Sequence, residues 1–244
     1  MKTKLTKLGP AKVRPVLFLA SQNYRINVYR NLLNKLNAHQ VILVVVSKTQ
    51  PLDRILALYE EGQRIFGENR VQELLQKAKN LPQDIQWHLI GHLQTNKVKQ
   101  IIPFVSLIQS VDSPRLLAEI NKQAQNAGRV VDCLLQFHIA QETSKYGFSK
   151  AEAVDLLESQ VFAEMTNVRL CGVMGMATFT DDMELVRTEF RQLHHIFTDL
   201  KAQYFTDAPH FKEVSMGMSS DWEIAVQEGS TMVRVGSLLF GPRN

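Results

Sequence analysis

From residue 41 onward the chain alternates short apolar runs with longer stretches in which apolar positions recur every three to four residues. Val41–Ser47 is β-branched and unbroken, the pattern of a strand buried on both faces. Arg64–Asn69, Ile85–Gly91, Val105–Val111, Val130–Ile139, Val168–Ala177, Phe211–Met216 and Met232–Phe240 repeat it, which predicts eight strands. Helical signals fill the intervals. Pro51 and Gly62 bracket Leu52, Ile55, Leu56 and Tyr59. Val71, Leu74, Leu75 and Ala78 mark a second helix and Asn96–Ile102 a third. Ser113-Pro114 opens a helix closed by Gly128. Ser149 and Glu152 form a capping box ahead of one helix that carries Val154, Leu157 and Val161. Val186, Phe190, Leu193, Phe197 and Leu200 follow 3.6-residue spacing, and Asp221–Glu228 is a short helix stopped by Gly229.

Eight strands alternating with helices, with no long linker, predict an α/β fold, a single (β/α)8 TIM barrel. An open doubly wound sheet is the competing arrangement. That fold often carries a glycine-rich first turn, whereas the first turn here is Ser47-Lys48-Thr49-Gln50-Pro51. The chain reads as one domain, 1–244. Residues 1–40 form a basic extension plus an extra N-terminal helix over Tyr24–Leu36, packed outside the barrel or across its bottom, and 41–244 form the barrel.

Charge adds one asymmetry. Residues 1–52 hold nine of the 28 lysines and arginines and none of the 24 acidic residues, so the basic balance belongs to the leader. It reads as a solvated extension, with a transit peptide or an anion-binding arm as the alternatives. A nucleic-acid protein would spread its basic patch over the fold, and Trp87 and Trp222 are isolated, so no nucleic-acid partner is expected. The longest apolar run, Val41–Val46, is too short to span a bilayer. Cys133 and Cys171 sit inside apolar runs and read as buried hydrophobes in a reducing compartment. The seven histidines show no metal-ligand spacing, so no metal is expected.

In barrels of this kind the chemistry sits at the C-terminal ends of the strands. That rule selects Lys48, Asn69, His92, Gln94, Ser110, His138, Met174, Met176, the segment 215–220, Arg234, Gly236 and Ser237. A lysine at the mouth of an apolar strand is partly desolvated, which lowers its pKa and frees the amine for attack on an aldehyde. Met216-Gly217-Met218-Ser219-Ser220-Asp221 leads into a helix and offers hydroxyls and backbone N–H groups to an anion, with Gly217 allowing close backbone approach. Gly236-Ser237 is a second small-residue turn, on strand eight and its exit, beside it. An amine on strand one and an anion cradle after strands seven and eight suggest a phosphorylated aldehyde, pyridoxal 5′-phosphate. Its phosphate would lie on Ser219, Gly236 and Ser237 and its aldehyde carbon on Lys48 as a Schiff base. Arg234 would face the pyridine nitrogen and, having no acceptor, keep it unprotonated.

The stretches Val45-Val46-Ser47-Lys48-Thr49, Phe66-Gly67-Glu68-Asn69-Arg70-Val71-Gln72-Glu73, Trp87-His88-Leu89-Ile90-Gly91, Ser215-Met216-Gly217-Met218-Ser219 and Met232-Val233-Arg234-Val235-Gly236-Ser237 resemble the pyridoxal 5′-phosphate homeostasis protein family (YggS-type). The resemblance implies a single-domain barrel like the N-terminal domain of alanine racemase. It implies that Lys48 carries the cofactor and Asn69 lies near its ring. Ser219, Gly236 and Ser237 would hold the phosphate, Met218 would be a further cofactor contact and Arg234 would meet the ring nitrogen. It also implies a role in vitamin B6 and amino-acid homeostasis without established catalysis. The lysine-rich start and His92 depart from the family's usual residues.

Racemisation would need a second acid/base on the opposite cofactor face. Of the five tyrosines only Tyr146 falls at the C-terminal ends of the strands, and Lys145 beside it reads as a solvated loop lysine, with a second, entry-loop amine as the alternative. No catalytic residue is therefore assigned; a racemase of the same barrel type is the alternative reading. The expected protein is a cytoplasmic monomer that binds the cofactor and passes it to pyridoxal phosphate-dependent apo-enzymes, with no membrane partner.

Overall fold

The structure, a computed structural model, describes residues 10–141 and 146–241, with the side chains of the first helix described from Tyr24 onward. Every expected apolar run forms a strand. They are β1 (Ile42–Val46), β2 (Ile65–Glu68), β3 (Gln86–Leu89), β4 (Leu107–Val111), β5 (Val131–Phe137), β6 (Val168–Gly175), β7 (Glu213–Ser215) and β8 (Met232–Val235). All pairs are parallel and run in chain order, and β8 returns to β1 with Val44 in register with Arg234, so the barrel closes. The helices are α1 (Pro10–Ala38), α2 (Leu52–Glu60), α3 (Val71–Asn80), α4 (Val98–Ile101, entered through a 3₁₀ turn), α5 (Pro114–Asn126), α6 (Lys150–Leu157), α7 (Gln160–Ala163), α8 (Met183–Tyr204), α9 (Trp222–Gln227) and α10 (Ser237–Phe240).

Alternation along each strand sorts side chains between two cores. Val233 and Val235 face the helices, whereas Met232 joins Val44, Leu107, Leu134, Cys171 and Met174 inside the barrel. Both cysteines are buried and free. The expected caps form: Ser113 Oγ accepts from Leu116 N at 3.3 Å, and Ser149 and Glu152 close a reciprocal capping box. Gly172 marks a register shift between β5 and β6. Its φ of +149° suits glycine, and a Cβ there would collide with the Glu213 carbonyl.

Four expectations change. The single helix expected through Val161 breaks at Ser159, whose hydroxyl accepts from Phe162 N and starts α7; Phe162 packs on the core and Val161 is exposed. Strand eight stops at Val235 and not at Phe240. Leu239 N and Phe240 N both donate to Gly236 O at 2.9 Å, so the remaining apolar residues form one helical turn that buries Leu239 and Phe240. Strand six stops at Gly175, which leaves Met176 just beyond it. The N-terminal helix is longer than Tyr24–Leu36 and packs outside the barrel. Arg30 pairs with Glu61 at 2.6 Å and Lys35 with Glu223 at 3.2 Å, so α1 fills the outer ring between α2 and α9.

Candidate cofactor site

A cavity of about 350 Å³ opens at the C-terminal mouth of the barrel. Lys48 enters it from the turn after β1, Asn69 from the exit of β2 and Arg234 from β8. Met218 and Ser219 enter from the loop after β7, and Gly236 and Ser237 from the start of α10. All seven residues expected around the cofactor therefore line one cavity.

Lys48 is half-buried. It sits in a tight turn closed by a 3.0 Å bond from Gln50 N to Ser47 O. Across the mouth, Ser219 Oγ accepts from Gly236 N and Leu238 N, both at 3.3 Å, and so ties the loop after β7 to the start of α10. A hydroxyl that accepts twice keeps its own O–H to donate. Ser219 can therefore turn that hydrogen toward an anion while holding both loops. The start of α9 is less open than expected. Trp222 N returns to Met218 O at 3.0 Å, and the buried Asp221 carboxylate accepts from Met218 N at 2.5 Å. Gly217 is also needed for a different neighbour. Its φ is +91°, and a Cβ would lie 2.5 Å from the Ala225 Cβ, so its close approach is to α9.

Arg234 is buried and fully committed in direction. Nη1 donates to Ser215 Oγ at 2.6 Å and Nη2 to the Gly175 carbonyl at 2.9 Å. Burial lowers its pKa to about 10, which leaves it a cation at neutral pH. Ser215 Oγ donates to Gln109 Oε1 at 2.7 Å, and Gln109 Nε2 meets His88 Nδ1 at 2.9 Å. A buried polar string thus crosses the barrel beneath the cavity. Burial holds the His88 imidazole down to about 3, so it is neutral and carries its proton on Nε2. Gln109 and His88 were not among the residues selected from the sequence. Their signal was a polar residue inside a buried strand run.

Other selected residues lie elsewhere. Ser110 donates to the Gly91 carbonyl at 2.6 Å, and Met174 is part of the barrel interior. His92 and Gln94 line a separate cleft with Asp112 and Arg115, and His92 Nδ1 meets Asp112 Oδ2 at 2.8 Å. Tyr146 packs on His92 in a tilted ring contact, with centroids 4.2 Å apart. His138 lines a cleft shared with α8. Lys145 lies outside the described residues. Met176 and Phe179, on the loop after β6, complete the apolar side of the cavity; Phe179 was not selected, and exposure of 89% leaves it no mark in the hydrophobic pattern. No group of metal-ligating side chains occurs among the described residues, and no helix among them is long and apolar enough to cross a membrane.

The donor set fits a phosphorylated pyridine aldehyde. It combines one amine, one fixed guanidinium, a spare hydroxyl donor at two small-residue turns, and an apolar side formed with Met176 and Phe179. The Asn69 Oδ1 atom is buried without a hydrogen-bond partner among the described residues, as expected of a group that waits for a ligand.

Over residues 22–244 the chain matches the family described as alanine racemase, N-terminal domain. It is 41% identical over 202 residues to the pyridoxal phosphate homeostasis protein of Aquifex aeolicus (strain VF5), covering 82% of this chain and 86% of that one. It is 37% identical over 219 residues to the protein of that name from Homo sapiens, covering 86% of this chain and 79% of the relative. Among solved structures it resembles PipY of Synechococcus elongatus PCC7942 with pyridoxal phosphate bound, with 35% identity and a TM-score of 0.74, covering 83% of this chain and 93% of that one.

Proposed function

The chain belongs to the pyridoxal phosphate homeostasis protein family, and from that premise we propose that it holds pyridoxal 5′-phosphate across the barrel mouth, bonded to Lys48. When bound, the cofactor supplies an aldehyde that a lysine amine can join with loss of water. Lys48 is the amine that enters the cavity. Ser219, Gly236 and Ser237 receive the phosphate on the opposite side, where the Ser219 oxygen already couples the two loops. Arg234 faces the ring nitrogen with donors only, and its bonds to Ser215 and Gly175 hold that direction. Asn69 offers its unpartnered oxygen to the ring substituents, and Met218 packs beside the phosphate loop. The observation that carries this reading is the convergence of all seven residues on one cavity.

The same geometry supports holding the cofactor over turning it over. Tyr146 packs on His92 and is not part of the cavity wall, which leaves the exposed cofactor face without that acid/base. We read the chain as a cytoplasmic monomer that stores the cofactor and releases it to apo-enzymes, acting in vitamin B6 and amino-acid balance.

The test is the absorption spectrum of the purified protein with the cofactor, followed by borohydride reduction and mapping of the added mass. Wild-type protein should be yellow and carry the mass on Lys48; Lys48→Ala should fold cooperatively and stay colourless. A mass fixed on any other lysine of that variant would overturn the assignment.

A further inference from the structure

Behind the turn that presents Lys48, outside the barrel wall, three ionisable side chains pack together between β2 and α3. Glu68 ends β2 with its side chain fully buried; Glu73 and Lys77 lie on one face of α3. Lys77 is buried, and its ammonium donates to three oxygens: Glu68 Oε1 at 2.7 Å, Glu73 Oε1 at 2.6 Å and the Ser47 carbonyl at 2.7 Å. An ammonium has three N–H groups, so all are spent. The same two carboxylates reach the turn from their own side. Glu68 Oε1 accepts from Ser47 Oγ at 2.5 Å, and Glu73 Oε1 accepts from Thr49 N at 2.5 Å.

The residues immediately before and after Lys48 are therefore tied to one cluster, and Lys48 lies between the ties. Thr49 has a φ of +65°, a left-handed conformation that a β-branched residue adopts rarely and that needs outside support. Its bond to Glu73 is that support. Packing between α3 and β2 does not by itself call for charge, because buried ion pairs are often replaceable by apolar residues of similar volume. What apolar residues could not do is grip a backbone carbonyl and a backbone N–H on either side of one lysine.

We propose that Glu68, Glu73 and Lys77 are positioning residues that aim the Lys48 side chain into the cavity, and so govern the covalent part of cofactor retention separately from the phosphate part. This rests on the reading that Lys48 bonds the cofactor aldehyde. Loss of the cluster should impair bond formation at Lys48 and leave the grip on the phosphate untouched.

Two probes separate those parts. Pyridoxal 5′-phosphate carries the aldehyde, whereas pyridoxine 5′-phosphate carries an alcohol there and cannot bond an amine. In Glu73→Ala, affinity for the aldehyde should fall about tenfold or more and affinity for the alcohol should stay within about twofold, as expected for loss of one hydrogen bond to a charged group. The rate of borohydride-fixed labelling of Lys48 should fall with it. Glu73→Gln, which keeps an oxygen for Thr49 N, should restore most of both. Glu73 is partly exposed, so this variant tests the idea even where Lys77→Met fails to fold. Equal losses for both probes, or no loss for either, with Lys48 still labelled in wild type, would overturn the positioning role. A wild-type protein that bound aldehyde and alcohol alike with no label on Lys48 would overturn the underlying reading, and this inference with it.

Discussion

His88 shows what burial does to one residue in the barrel. Its imidazole is held near 3 against an ordinary 6.5 because the charged form would be desolvated, and the Gln109 amide donates to Nδ1. Below pH 6.5 the unfolded chain takes up a proton that the folded chain refuses. The contribution of His88 to stability is therefore fully present above 6.5 and is lost as pH drops toward 3. The slope approaches about 1.4 kcal/mol per pH unit for one such group. His88→Gln keeps an oxygen to accept from Gln109 but does not titrate. Urea unfolding between about pH 6 and 4 should show that much less pH dependence in the variant. Parallel curves for variant and wild type would assign the acid sensitivity to other groups. The string from His88 through Gln109 and Ser215 ends on Arg234, so the neutral ring also keeps a second buried cation away from the guanidinium.

At the scale of elements, α1 is part of the barrel and not an appendage to it. A single helical turn, α10, follows β8, and α1 covers the outer face of the β1–β8 junction beside it. Among its described side chains burial begins at Tyr29 and continues with Leu32 and Leu36. Tyr29 Oη donates to Gln63 Oε1 at 3.1 Å, and Gln63 Nε2 reaches the Leu43 carbonyl at 3.0 Å, so the helix is keyed to β1 through one amide. Each buried side chain of this size contributes about 1.5–3 kcal/mol. Removing residues 1–14 should leave the melting temperature and cofactor binding unchanged. Removing residues 1–36 takes away three such side chains, a loss comparable to the whole stability of a typical domain, about 5–15 kcal/mol, and should give insoluble or unfolded protein. Loss of binding in the shorter deletion, measured by cofactor titration, would place the basic leader within the folded unit.

At the scale of the whole molecule, the described residues form one closed sheet with no free strand edge, and its two cores are separated only by the barrel wall. We expect a single cooperative unfolding transition, coincident by circular dichroism and tryptophan fluorescence. The proposed site draws on β1, β2, β7 and β8, so a ligand there joins the two ends of the chain. Cofactor at a hundred times its dissociation constant should add about 2.7 kcal/mol of stability. For a domain of this size that is a rise of about 5–10 °C in melting temperature. A transition that splits in two, or a cofactor shift confined to one half of it, would show that the barrel does not unfold as a unit.

The sequence alone determined the strand count, the closed barrel, the principal helix caps and seven of the residues that line the cavity. The fold rests on local signals: unbroken β-branched runs, 3.6-residue spacing, and serine and glycine at helix ends; the site residues rest on the rule that barrel chemistry sits at strand C-termini, narrowed by the family motifs that several of them lie in. The tertiary structure decided what depends on partners far away in the chain. Leu238-Leu239-Phe240 has the composition of a strand end, yet it coils because Gly236 turns the chain and the core takes Leu239 and Phe240. Lys77 reads as a surface lysine on a helix until the fold brings Ser47, 30 residues away, within 2.7 Å of it. Ser215 and Gln109, 106 residues apart, meet only because the barrel closes and their strands both turn these side chains inward. Periodicity reports which face a residue is on, but which charged group waits there to meet it is set by closure of the sheet.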